Sequence, residues 1–258
     1  MFIKIIIYGK KGGYKLNKPL AILFDVGDTL IEYHENNPLK GTQELLKKAN
    51  NPDSITANEI QEYVVGMGAV FNNARELGGI EFSMRSFQRF LYEIHNISFD
   101  LTQLEIENIF NKSAFIGEQM PGAQEFLDFL EKQGIRKAIL SNSSFSEEAI
   151  REELRSYGID DKIFEFVIST SEYGFRKPDK RIFELALKKF NICRDDIWYI
   201  GNSFRYDIVG AQNAGILPIW FNKQNNTNEQ SDNIIEVKSF NEVRNYLISL
   251  DSVTRVNS

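Results

Sequence analysis

Apolar positions along this chain follow two kinds of spacing, and the spacing divides it into three stretches. Leu20-Ala-Ile-Leu-Phe-Asp25 is a continuous apolar run that ends on a carboxylate, with Gly27 and Thr29 close behind. A run without alternation fits a strand buried on both faces of a parallel sheet, and the residues after it predict a turn. From about Lys40 to Lys112 helical spacing takes over, across Gln43–Ala49, Ala57–Leu77, Ser83–His95 and Leu101–Lys112. Thr56 with Glu59 reads as a capping box, and Ser83 and Thr102 read as further N-caps. A helical insertion of roughly 70 residues is large enough to form a small domain.

After Pro121-Gly122 helix and strand alternate. Helices are predicted over Ala123–Gln133, Ser146–Tyr157, Asp179–Phe190 and Phe204–Ala214, and strands over Lys137–Leu140, Glu165–Ser169, Asp196–Ile200 and Leu217–Phe221. Such repeats imply right-handed crossovers and a mostly parallel sheet. The Asn-rich stretch 222–233 predicts an exposed loop before a final helix over Phe240–Leu250. The opening Met1-Phe-Ile-Lys-Ile-Ile-Ile-Tyr8 is apolar but short and runs into Gly12-Gly13. It reads as an added strand or upstream extension rather than a signal peptide.

Composition narrows the functional classes. With 258 residues, 42% of them hydrophobic, the chain can bury a substantial core. A net charge of -6 lacks the basic footprint of nucleic-acid binding. Cys193 is the single cysteine, which excludes an internal disulfide and a thiolate zinc cage. Two histidines, His34 and His95, exclude a His-rich metal site. No apolar run approaches the roughly 18 residues of a membrane span, so the cytoplasm is the expected compartment.

The residues able to carry chemistry collect at one kind of place. Asp25 follows the first strand and Ser141-Asn142 the second; Lys177 lies beyond the third, and Gly201-Asn202-Ser203 with Asp207 follows the fourth. In open parallel sheets the carboxyl ends of the strands form the ligand-binding rim. Taken singly, each residue has a bland reading: an Asp that caps a turn, a Ser-Asn helix cap, a solvated lysine. Their convergence from four strands does not.

Four segments also resemble the motifs of the haloacid dehalogenase superfamily, in order. They are Phe24-Asp-Val-Gly-Asp-Thr-Leu30, Ile139-Leu-Ser-Asn142, Arg176-Lys-Pro-Asp-Lys-Arg-Ile-Phe183, and Gly201-Asn-Ser-Phe-Arg-Tyr-Asp207 with Ala214-Gly215. The resemblance spans about Leu20 to Trp220. It implies an α/β fold whose Rossmann-like three-layer core, with a mostly parallel sheet, takes in residues 1–33 and 118–258. A smaller all-helical cap domain would occupy 34–117. It also implies a hydrolase in which Asp25 is a carboxylate nucleophile that splits one displacement into two. Ser141, Asn142, Lys177 and Asp28 would surround the phosphate, with Lys177 offsetting developing charge. Mg²⁺ would be held by Asp25, the Gly27 carbonyl, Asn202 and Asp207. The implied substrate is a small phosphorylated metabolite, with no nucleic-acid or membrane partner; its identity and the oligomeric state stay open.

Two positions depart from the family pattern. Where most of its phosphatases carry a second aspartate as general acid and base, this chain has Gly27. The expectation is a substrate with a good leaving group or another proton donor, with His34, Glu35 and Asp28 as candidates. Asn202 replaces an aspartate that binds metal, so weaker magnesium binding is expected. These departures keep two alternatives open: a metal-independent 2-haloacid dehalogenase and a catalytically impaired binding or regulatory protein. In the cap, Arg85 and Arg89 share a helical face and read either as a grip for a second anionic group or as a solvated pair. Tyr33 or His34, where the chain enters the cap, is expected near substrate. Phe82, Phe87 and Phe90 are expected in the cap core, and His95 in a structural role.

Overall fold

The computed structural model describes residues 5–6, 18–225 and 234–254. The chain opens with β1 (Ile5–Ile6), β2 (Ala21–Phe24) and β3 (Ile31–Asn36). Next come α1 (Pro38–Leu46), β4 (Ala49–Asn50), α2 (Ala57–Gly78), α3 (Met84–Ile94) and β5 (Ser98–Phe99). Then follow α4 (Gln103–Ala114), β6 (Phe115–Gln119), α5 (Ala123–Lys132), β7 (Arg136–Ser141) and α6 (Glu147–Ser156). The remainder is β8 (Val167–Ser169), α7 (Lys180–Phe190), β9 (Ile197–Gly201), α8 (Val209–Asn213), β10 (Leu217–Phe221), β11 (Ile234–Val237) and α9 (Phe240–Thr254).

Seven described strands form the main sheet in the order β1-β11-β10-β9-β2-β7-β8. All neighbours are parallel except β1 with β11, where Ile5 pairs with Ile235. The apolar start therefore supplies an added strand; the rest of residues 1–17, like 226–233 of the Asn-rich stretch, lies outside the described residues. Alternation along the central strand feeds two cores. Ile22 and Phe24 enter one with Phe126, Leu130 and Phe240, while Ala21 and Leu23 enter the other with Ile182, Phe183 and Phe190. Helices thus cover both faces, giving the three layers expected of a buried parallel sheet. Among the described residues no helix is long and apolar enough to cross a membrane.

Helices α1 to α4 surround a third cluster built on Leu45, Ile60, Leu91, Tyr92, Ile106 and Phe110. The chain enters and leaves this layer through an antiparallel ribbon of β3 and β6, and the expected division at 33/34 and 117/118 cuts across that ribbon. Both Thr56–Glu59 and Thr102–Glu105 close as capping boxes, and Ser83 caps α3. Helix α1 begins earlier than the spacing predicts, because Asn37 caps it by accepting from Lys40 N and Pro38 fills its first turn. Helix α7 begins at Lys180, capped by Asp179. Phe82 and Phe87 pack against Phe71 within the helical layer, Phe87 edge-on, but Phe90 is exposed. His95 packs edge-on against Tyr63, away from the strand ends.

Candidate active site

The carboxyl ends of β2, β7 and β9 converge on a cavity of about 480 Å³. Asp25 stands at the end of β2, where its N–H donates to the Ile200 carbonyl of β9 at 2.9 Å. The chain then folds back: the N–H groups of Thr29, Leu30 and Ile31 all donate to the Val26 carbonyl. Asp28 takes a left-handed conformation at φ 52°, and its Oδ1 accepts from Tyr33 N at 3.2 Å. Asp tolerates that conformation better than most residues because its short side chain bonds locally.

Lys177 is the hub. Its ammonium is almost fully buried and donates to Asp25 Oδ1 at 2.7 Å, Asp207 Oδ1 at 2.6 Å and the Tyr199 hydroxyl at 2.8 Å. Three donors therefore meet three acceptors. Asp207 is equally committed, since its Oδ1 also accepts from the Tyr199 hydroxyl at 2.8 Å and its Oδ2 from Ser203 N at 2.9 Å. The approach is close enough to require Gly201, where a Cβ would lie 2.5 Å from Asp207 Cγ. A widened helical turn over Phe204–Ile208 carries Asp207 into place. Asn142 grips Lys177 from outside: its Oδ1 accepts from Lys177 N at 2.8 Å and its Nδ2 donates to the Lys177 carbonyl at 3.1 Å.

One buried cation thus faces two carboxylates. Burial pushes the Asp25 carboxyl up to about 6, Asp207 adds to the rise, and Lys177 opposes it. Lys177 is held above its ordinary range, the pull of Asp207 and Asp25 outweighing the effect of burial. Tyr199 stays protonated, pushed well up by burial and by both carboxylates.

Asp25, Gly27, Asp28, Ser141, Asn142, Lys177, Asn202 and Asp207 all line this cavity, so the residues singled out from the motifs are brought together. Two of them act differently from expectation. The Asn142 side chain holds the Lys177 main chain instead of facing a phosphate, and the Asp28 carboxylate is bound into its own turn.

Three residues offered as candidate substrate contacts lie elsewhere. His34 is half exposed and pairs with Glu118 at 3.3 Å. Arg89 is exposed in a second groove beside Gln88 and Tyr92. Arg85 donates to Glu107 at 2.6 Å and to Ser146 and Glu148, each at 2.9 Å. Glu107 is wholly buried and also takes both the N–H and the hydroxyl of Ser146. Arg85 thus fastens α4 to the start of α6, joined there by the Met84 N–H on the Ser144 carbonyl at 2.8 Å and by Arg75 on the Ser144 hydroxyl. Replacing it (Arg85→Met) strands a buried carboxylate and should lower stability by about 1–3 kcal/mol. Turnover per folded molecule should stay unchanged; urea unfolding with parallel kinetics tests this, and a raised KM would return Arg85 to the substrate.

The structure adds residues the sequence did not flag. Tyr199 reads as core in an apolar strand, yet its hydroxyl is part of the hub. Glu153, on α6, accepts from the Tyr33 hydroxyl at 2.8 Å, and both line the cavity. Burial pushes both groups up, Tyr33 well above the ordinary phenol range. Glu153 sits in a Glu-rich helix that reads as solvated, but its place on the apolar stripe Ala149, Ile150, Leu154 was the available signal.

Residues 19–215 match the haloacid dehalogenase-like hydrolase family. The chain is similar to a glyceraldehyde 3-phosphate phosphatase of Pyrococcus furiosus, 26% identical over 78% of this chain and 80% of that enzyme. It is 34% identical to the enzyme of the same name from Pyrococcus abyssi over 43% of this chain, a match that spans less than half, 44%, of that relative. A HAD phosphatase of Thermococcus onnurineus superposes with a TM-score of 0.62 at 20% identity, over 88% of this chain and 97% of that one. A 2-haloacid dehalogenase of Pseudomonas syringae also reaches 0.62, at 18% identity, over 91% and 99%. At these identities the structures establish the fold alone.

Proposed function

Because this chain belongs to the haloacid dehalogenase-like hydrolases, we propose that it is a phosphatase acting on a small phosphorylated metabolite, with Asp25 as its nucleophile. The observation that carries the reading is the buried Asp25–Lys177–Asp207 arrangement opening on a cavity edged by Ser141. Asp25 Oδ1 is held by Lys177, whereas Oδ2 accepts from the Thr29 hydroxyl at a long 3.3 Å. Oδ2 is therefore the oxygen free to attack phosphorus. The bond from phosphorus to the leaving oxygen breaks, and water then hydrolyses the aspartyl phosphate. Lys177 offsets charge on the phosphoryl oxygens, and the Ser141 hydroxyl donates to one of them. Cytoplasmic placement is part of the proposal, consistent with Cys193 being free. The helical layer over 34–117 acts as the cap that reads the rest of the substrate.

The donor set fits Mg²⁺. Among the described residues no three carboxylate, imidazole or thiol groups gather as a cage. Magnesium, however, is commonly held by one or two carboxylates and the substrate's own phosphate. Asp25, the Gly27 carbonyl and Asn202 would hold it; Asp207 Oδ1 already accepts from Lys177 and Tyr199, while its Oδ2, with Ser203 N alone, keeps a lone pair for the ion. Bound there, the ion offsets repulsion between carboxylate and phosphate, about 4 kcal/mol for unit charges 4 Å apart at a surface-like dielectric. With the neutral Asn202 among the ligands and Lys177 competing for both carboxylates, EDTA should abolish phosphate release and millimolar magnesium should restore it. Asn202→Asp should lower the magnesium needed by roughly tenfold, since affinity follows ligand charge. Saturation of the native protein at micromolar magnesium would contradict this.

The neutral residues at 27 and 202 support a second reading, a 2-haloacid dehalogenase using the same nucleophile without metal. Halide release from 2-haloacids in the presence of EDTA, with no phosphate release under magnesium, would establish it instead. Trapping of beryllofluoride at Asp25 separates both from a non-catalytic protein.

A further inference from the structure

The phosphatase reading leaves a gap: an alkoxide leaving group needs a proton, and position 27 has no side chain to give one. The structure shows what stands in that space. A Cβ built on Gly27 would lie 3.3 Å from Tyr33 Cε2 and 3.8 Å from Cδ2, so the Tyr33 ring occupies the volume where a side chain at 27 would begin. The ring is fixed from both ends. Tyr33 N donates to Asp28 Oδ1 at 3.2 Å, and its hydroxyl bonds Glu153 Oε1 at 2.8 Å. Both residues line the cavity that holds Asp25.

Glu153 is an unusual group to find there. It is only 9% exposed, and its hydrogen-bond partners, the Tyr33 hydroxyl and the Asn111 side chain, are neutral. A buried carboxyl without a cation tends to keep its proton. The other candidates fail on position: His34 and Glu35 are paired with Glu118 and Lys40 outside the cavity, and Asp28 serves its turn.

We propose that Tyr33 and Glu153 act together as the general acid and base that Gly27 cannot supply, the Tyr33 hydroxyl touching the leaving oxygen. As the phosphorus–oxygen bond breaks, the leaving oxygen takes the Tyr33 hydroxyl proton, and the Glu153 carboxyl passes its own proton to the Tyr33 oxygen. An oxygen pair 2.8 Å apart serves either donor direction. In the second half, water attacking the aspartyl phosphate gives a proton to the Tyr33 oxygen while Tyr33 returns one to the Glu153 carboxylate. Both residues end as they began.

The inference rests on the phosphatase reading, and leaving groups test the two separately. General acid catalysis is worth about 10²–10⁴ in rate when the leaving group is a poor one and little when it is good. Tyr33→Phe and Glu153→Gln, both nearly isosteric, are assayed with glycerol phosphate and with p-nitrophenyl phosphate. The ratio of alkyl to aryl turnover should fall by about 100-fold or more in each variant. An unchanged ratio in either variant, whether both rates fall together or neither falls, overturns the assignment and leaves the phosphatase reading standing. A native protein that hydrolyses neither ester with magnesium removes the phosphatase reading and this one with it.

Discussion

Asp25→Asn should reduce turnover by at least about 10⁴-fold, as loss of a covalent nucleophile does, while leaving the protein at least as stable as the native one. The stability half follows from the charge count at the hub, where Lys177 faces Asp25 and Asp207 with almost no solvent. Neutralising one carboxylate leaves a matched buried pair. The sign with pH can be worked out from Asp25. Its folded value, about 6, lies above the ordinary 3.8, so the folded protein holds this proton more tightly than the unfolded chain does. The associated stability is fully present below pH 3.8 and is lost as pH rises through about 6. In EDTA the native protein should therefore lose stability between those limits relative to Asp25→Asn. Thermal unfolding of both proteins across that range measures the difference; a variant that melts lower than native at pH 7 would refute the account, as would one that retains turnover.

Lys177→Met carries the opposite expectation. Removing the cation leaves two carboxylates buried against each other, and breaking such a pair costs about 3–5 kcal/mol. Tyr199 and Ser203 N still donate to Asp207, but Asp25 keeps only Thr29 and the turn. Turnover should fall by about 10²–10³, the usual loss when a donor to developing charge is removed. The double variant Asp25→Asn/Lys177→Met should recover about 1–3 kcal/mol of the lost stability, because the groups interact directly. Urea unfolding of the four proteins closes the cycle, and simple additivity would show that the buried triad is not the energetic unit described here.

Much of this arrangement is legible in the order of the residues alone. The central strands announce themselves as unbroken apolar runs, and a parallel sheet sends their carboxyl ends to one rim, so Asp25, Ser141, Lys177 and Asp207 had to meet. The ribbon of β3 and β6 escaped notice because Glu32, His34, Glu35 and Glu118 dilute its alternation. β11 was hidden by its Asn-rich approach, since Ile234–Val237 is too short to declare a type alone. In the site, residue types gave membership but not orientation. Nothing in Ser141-Asn142 says that the amide turns toward the Lys177 main chain, and nothing at position 27 says that an aromatic ring six residues later fills the space. Those depend on how loops pack, which local spacing does not encode.

The segment from Ser143 to Ser146 is fastened by Arg75, Met84, Arg85 and Glu107 while its first residues border the nucleophile. A lid that swings away must drag this segment or let go of it. Admission of a molecule and completion of the cradle that grips it would then become a single event.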